Sequence, residues 1–195
     1  MDKCAFIFYF NGEQRKFIDR GAWEHSYSSF YSLEEEPQES AINNWMDIAV
    51  HEFFHIVTPL TIASKEVKEF NFNETNLSRY LWLYEGSTEC YAHHMQVRTG
   101  IKSSEQFIET LAEKINYLRS YFNDSLSFTE LSKESAGKWK DQYGNVYLKG
   151  ALISAGLDLY LLKLADGRYA FRNLTHDLGV RFGKDHYFKD DALFG

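Results

Sequence analysis

Between residues 40 and 57 apolar side chains recur every three or four positions: Ile42, Trp45, Met46, Ala49, Val50, Phe53, Phe54 and Val57. That spacing turns one side of a helix toward a core. Ser40 or Glu39 opens the predicted helix. Pro59 stops it, because the residue before a proline avoids helical angles. Further helices are predicted over about 78–98, from the Ser103-Ser104 capping pattern to about 122, over about 147–165, and over about 172–182. Ahead of them, residues 4–10 (CAFIFYF) are continuously apolar and end at Asn11-Gly12, which predicts a buried strand and a turn. Residues 22–33 alternate roughly and predict an exposed or edge strand. The connections 58–77 and 123–145 read as irregular, and loops that long are often functional. Strands precede helices, so the predicted class is α+β, mainly helical. A small β lobe is expected over about 1–36 and a helical lobe over about 37–195.

The chain has 195 residues. That is one domain's length, and enough to bury a core without staples. Aromatic residues make up 17% and prolines number two, which argues against disorder. The net charge is −7 with no Lys/Arg stripe, so nucleic acid is not an expected partner. Cys4 and Cys90 cannot form a disulfide framework or a Cys-rich zinc site. No run of 18 apolar residues exists, so no transmembrane helix is predicted. The opening MDKCAFIFYF lacks a small-residue cleavage site and reads as a strand rather than a signal peptide. The compartment stays open between cytoplasm and export through a leader upstream of Met1, and the oligomeric state is not readable.

Candidate chemistry sits on the first helix. His51-Glu52-Phe53-Phe54-His55 is an HExxH motif. Two histidines at i and i+4 share a helix face, so both imidazoles can reach one ion. Glu52 is turned by about 100° and can hold a water beside that ion. Taken alone, the spacing also fits one solvated histidine and one satisfied in the core. A catalytic zinc needs a third protein ligand and an open position. Glu85, in LWLYEGSTE on the next helix, is the best candidate. Glu89 lies one turn beyond and could accept the N–H of a ligand histidine, or be a solvated carboxylate. His93 and His94 read as non-ligands.

HEFFH followed by LWLYEG resembles the gluzincin zinc peptidases, and most closely the glycyl aminopeptidase family. The resemblance implies a thermolysin-like zincin domain with one zinc ion per chain. It implies His51, His55 and Glu85 as ligands and Glu52 as general base. Glu89 takes the place of a carboxylate that orients a ligand histidine. Gly21-Ala22-Trp23-Glu24-His25 is similar to the strand that binds the substrate backbone in aminopeptidases of this clan, where the Glu binds the free α-amino group. Tyr147-Leu148-Lys149-Gly150 is similar to a segment whose tyrosine donates to the tetrahedral oxyanion. Tyr143 is the fallback for that role. SYSSFY and Thr58-Pro59-Leu60 depart from the family pattern, which implies a substrate pocket unlike that of a glycine-preferring enzyme. Neither a PDZ pattern nor a large β-domain is seen in this sequence. The expectation is a single gluzincin catalytic domain over 1–195, or a fragment of one.

The functional expectation is a zinc metallopeptidase acting on peptides as an aminopeptidase. Two alternatives remain: a zinc endopeptidase, and a peptide-binding module that keeps its zinc without turnover. The joint presence of Glu52 and Tyr147 favours catalysis, because structural zinc needs neither.

Overall fold

A computed structural model describes residues 3–12 and 21–193, without the side chains of residues 38–40 and 43. Three strands come first: β1 (Ala5–Asn11), β2 (Gly21–Glu24) and β3 (Ser28–Glu34). β3 lies in the centre, parallel to β1 and antiparallel to β2. Seven α-helices follow: α1 (Gln38–Phe54), α2 (Lys65–Lys68), α3 (Leu81–Arg98), α4 (Ser104–Tyr121), α5 (Phe128–Glu134), α6 (Tyr143–Leu164) and α7 (Phe171–Phe182).

Alternation along a strand decides which side chains meet α1. The register pairs Phe6, Phe8 and Phe10 of β1 with Ser29, Tyr31 and Leu33 of β3, so these share a face. Phe8 stacks on Tyr31 at 4.4 Å, and Phe10 meets Trp45 of α1 at 4.5 Å between ring centroids. Tyr31 is fully buried and donates its hydroxyl to the Ala49 carbonyl at 3.4 Å. The expectation of a buried strand at 4–10 is corrected: Ala5 through Phe10 are all exposed. Among the described residues β1 is a sheet edge with α1 on one of its faces, so Ile7 and Tyr9 point away from that helix. The expected single strand at 22–33 is instead a hairpin of β2 and β3, and its second arm is the sheet's centre.

The helical lobe is built around α3. Its buried residues include Leu83, Tyr84, Gly86, Thr88, Cys90, His93 and Gln96, which lie on every side of the helix. Helices packed all round lack the single apolar stripe of a surface helix. The core joins Leu83 and Tyr84 to Ile62, Tyr80, Phe171 and Phe188. α3 and α6 touch backbone to backbone at one crossing. A Cβ built on Gly86 would lie 2.3 Å from the Gly150 carbonyl carbon, and one on Gly150 would lie 2.7 Å from the Trp82 carbonyl oxygen. Only glycine permits that approach.

Helix ends differ in detail from the sequence reading. α1 stops at Phe54, and turns lead to Thr61. α4 is capped by Ser103 as expected, in a reciprocal capping box with Gln106. The two supposed loops contain α2 and α5, and α6 opens at Tyr143, one turn before residue 147.

Candidate metal centre

The last turn of α1 and the middle of α3 face each other, and the chemistry lies between them. His51 and Glu52 belong to α1, while His55 is its C-terminal cap with φ −60° and ψ −12°. The cap stays in right-handed helical angles, so the i, i+4 geometry of the two imidazoles survives the end of the helix. Their rings lie edge to face at 4.9 Å. All three residues are buried, with His51 at 7%, Glu52 at 8% and His55 at 3% exposure.

From α3, Glu85 presents Oε2 at 3.2 Å from His51 Nε2 and 3.5 Å from His55 Nε2. The other nitrogen of each ring is engaged. His51 Nδ1 donates to Glu89 Oε2 at 2.8 Å, and His55 Nδ1 donates to the Thr58 carbonyl at 2.7 Å. Both rings are thereby held with Nε2 facing Glu85.

These atoms fit a tetrahedral ion. Zinc bonds of about 2.0–2.1 Å place neighbouring ligand atoms roughly 3.3 Å apart, close to the separations observed. His51, Glu52 and His55 also offer ligand atoms within 4.8 Å of one another. Glu52 Oε2 is buried without a hydrogen-bond partner. An orphaned buried acceptor beside three converging ligand atoms is what a site that takes up both an ion and a water requires.

The electrostatics agree. Burial opposes charge on His51, but the hydrogen bonds it donates to Glu85 and Glu89 outweigh it and push the imidazole up to about 10. Burial likewise opposes charge on Glu85 and Glu89. The contacts with His51 nevertheless hold Glu85 below the usual carboxylate range, and those with His51, His93 and Lys114 hold Glu89 well below it. Glu52 differs: burial pushes it up to about 7, although His55 and His51 pull the other way.

Tyr147 of α6 lies over the same centre. Its ring centroid is 5.7 Å from that of His51, its hydroxyl hydrogen-bonds the Tyr143 hydroxyl at 3.1 Å, and it feels the charge of Glu85. Burial and the Glu85 charge keep the phenol far above its ordinary range, so it remains a donor. Tyr143 and Tyr147 stand i, i+4 because α6 begins at Tyr143. Glu24 pairs across with Ser29, two residues before Tyr31, so it points to the α1 side of the sheet. Its charge is felt by both Glu52 and Tyr143. Gly21, Ala22 and Trp23 precede it along β2, whose outer side is unpaired among the described residues. None of these residues lines the cavity of about 1010 Å³ that opens between α1, α3 and α7.

Three contributors carry no role in the sequence reading. The Thr58 carbonyl orients His55, and His93 and Lys114 both donate to Glu89 at 3.1 and 2.5 Å. The i, i+4 spacing of Glu89 and His93 is a readable signal. Lys114 gives none, because it arrives from α4.

Comparison with known proteins supplies independent findings. Among curated proteins no sequence match is found. The crystal structure of an aminopeptidase N family protein from Idiomarina loihiensis superposes with a TM-score of 0.81 at 22% identity. The match covers 97% of this chain and 34% of that one, so the chain spans about a third of its neighbour's length. The likeness shows the fold, an α+β, mainly helical zincin domain. The sequence pattern of the M61 glycyl aminopeptidase family matches residues 44–153, which include both motifs of the metal centre. The chain belongs to the M61 glycyl aminopeptidase family.

Proposed function

We propose that the chain is the catalytic domain of a zinc-dependent metallopeptidase, acting as an aminopeptidase on peptides with a free amino end. The observation that carries the reading is the convergence of His51 Nε2, His55 Nε2 and Glu85 Oε2 beside the partnerless Glu52 Oε2. In this reading His51, His55 and Glu85 hold one zinc ion per chain. When bound, zinc supplies a Lewis acid and lowers the pKa of water to about 7. Glu89 orients His51. Residues 1–195 act as one gluzincin catalytic domain, with a β lobe over about 1–36 and a helical lobe over about 37–195.

The chain's own residues divide the remaining work. Glu52 accepts the proton of the attacking water at Oε2 and returns it to the leaving amine. Tyr147 donates its hydroxyl to the carbonyl oxygen as negative charge develops there. Tyr143 bonds that hydroxyl and limits its rotation. An extended peptide adds to the outer edge of β2 along Gly21, Ala22 and Trp23. Glu24, facing the same cleft, binds the α-ammonium, which fixes the scissile bond one residue from the end.

The test combines metal analysis with a panel of free-amino and N-blocked peptide reporters. The wild-type chain should hold one zinc and cleave free-amino reporters. Glu52→Gln should keep the zinc and lose about 10²- to 10⁴-fold in kcat. Full activity in that variant would remove Glu52 as the base. Glu24→Ala should raise KM on free-amino reporters and leave blocked ones unchanged. An equal loss on both would favour an endopeptidase, and zinc without any turnover would favour a peptide-binding module.

A further inference from the structure

Glu89 divides its two oxygens between different tasks. Oε2 takes the N–H of His51 Nδ1 at 2.8 Å. Oε1 takes His93 Nε2 at 3.1 Å and Lys114 Nζ at 2.5 Å. An ionised carboxylate only accepts, so the hydrogen of His93 sits on Nε2. Its Nδ1 is buried with no hydrogen-bond partner, as a bare lone pair can be and an N–H should not be. The clamp joins two elements. His93 stands one turn beyond Glu89 on α3, and Lys114 reaches across from α4.

Both donors are largely shielded: His93 is 5% exposed, and the Lys114 side chain 11%. A glutamate held at one oxygen can still turn about its last torsion, which is soft. Two donors on Oε1 fix the carboxylate plane and reserve Oε2 for His51. Charge-assisted contacts of this kind are among the stronger hydrogen bonds. Without Lys114, a mostly buried carboxylate beside Glu85 loses its fixed cation and is free to swing out of line.

We propose that Lys114, with His93 beside it, is a positioning residue for the metal centre: it locks Glu89 so that His51 keeps Nε2 aimed at the ion. The inference rests on the zinc reading above and goes one layer outward from it. It also gives α4, which supplies no ligand, a part in metal affinity.

The test uses the full chain and two readouts besides turnover. One is the zinc dissociation constant by chelator competition. The other is the visible spectrum of the Co(II)-loaded protein, which reports ligand geometry. Lys114→Met should weaken zinc by about 10- to 100-fold and alter the cobalt bands. Lys114→Arg should recover most of both. Lys102→Met is the control. Lys102 bonds Asp47 at 2.7 and 3.0 Å, a comparable ion pair to α1 with no contact to a ligand, and its loss should leave affinity and spectrum unchanged. A folded Lys114→Met with wild-type affinity and bands would overturn the inference while leaving the zinc reading intact. Equal weakening by Lys102→Met would overturn it too, by showing a general loss of packing. Absence of zinc binding by the wild type would overturn both. If Lys114→Met does not fold, Lys114→Gln takes its place: weakened zinc and altered bands support the inference, and wild-type values overturn it.

Discussion

Tyr147 shows how much one side chain depends on its surroundings. Its hydroxyl is anchored to Tyr143 and feels the charge of Glu85. Replacing it with phenylalanine removes the donor and keeps the ring beside His51. We expect Tyr147→Phe to retain zinc and lower kcat by about 10²- to 10³-fold with a small change in KM. Steady-state kinetics on the best reporter decides it, and a pure KM effect would move the residue into substrate binding. Tyr84, the residue before Glu85, tests burial in the hydrophobic core. Its hydroxyl accepts the Ser64 N–H at 2.8 Å, and burial pushes it up from 10.0 to about 12. Because the folded pKa lies above the unfolded one, the stabilisation is complete below pH 10 and lost as pH rises toward about 12. The loss is about 3 kcal/mol at the top of that window. Tyr84→Phe should be less stable than wild type at neutral pH, and the gap should narrow through the window in urea unfolding. A gap constant with pH would mean that Tyr84 does not titrate differently on unfolding. At this scale the sequence is legible wherever geometry is local. His51, Glu52 and His55 follow from helix spacing alone. Lys114 lies twenty-five positions from Glu89 on another helix, and no spacing rule reaches it.

Between elements, the crossing of α3 and α6 sets the site. Glu85 rides on one helix and Tyr147 on the other, and the Gly86–Gly150 contact fixes their separation. A methyl on Gly150 meets backbone at 2.7 Å and cannot be relieved by turning a side chain. Gly150→Ala should therefore cost about 1–3 kcal/mol and also lower kcat, because the helices must part. Gly156 on the same helix is the control. A Cβ there meets nothing within 4 Å, and removing a mid-helix glycine should stabilise by about 0.5–1 kcal/mol. Thermal unfolding and activity of both variants check the pair, and a neutral Gly150→Ala would mean that the crossing has slack. The long helices are readable because a repeated apolar spacing survives local exceptions. α5 escapes the pattern because seven residues hold barely two turns of it. The first turn of α6 escapes it because Gly144 and Asn145 are poor helix formers. Packing overrides them: Asn145 is fully buried, and Gly144 leaves room for Phe122. β1 misleads in the opposite sense. An unbroken aromatic run implies two covered faces, whereas this strand has α1 on one face and stands at an edge.

For the whole molecule, the metal centre is also a joint. In the zinc reading, α1 brings two ligand atoms and α3 the third, so an ion held there ties the helix beside the sheet to the centre of the helical lobe. The same region gathers Glu52, Glu85 and Glu89 in largely buried positions against Lys114, and the chain as a whole carries −7. In the same reading, a divalent cation offsets the local repulsion and reinforces the contacts that His51 and His55 already make with α3. Fold and site are thus coupled in the zinc reading. The consequence is measurable without any substrate. An ion that binds only the folded chain stabilises it by about 4 kcal/mol at a free concentration 1,000 times its dissociation constant. For a chain of this size that raises the unfolding temperature by roughly 10 °C. Zinc should produce that rise, a chelator should reverse it, and Glu85→Gln should abolish most of it. Glu24→Gln should leave it intact, since the proposed function gives Glu24 to the substrate and not to the ion. If zinc leaves the unfolding temperature unchanged in the wild type, the two helices are not joined through an ion, and the reading of this site as a metal centre fails with it.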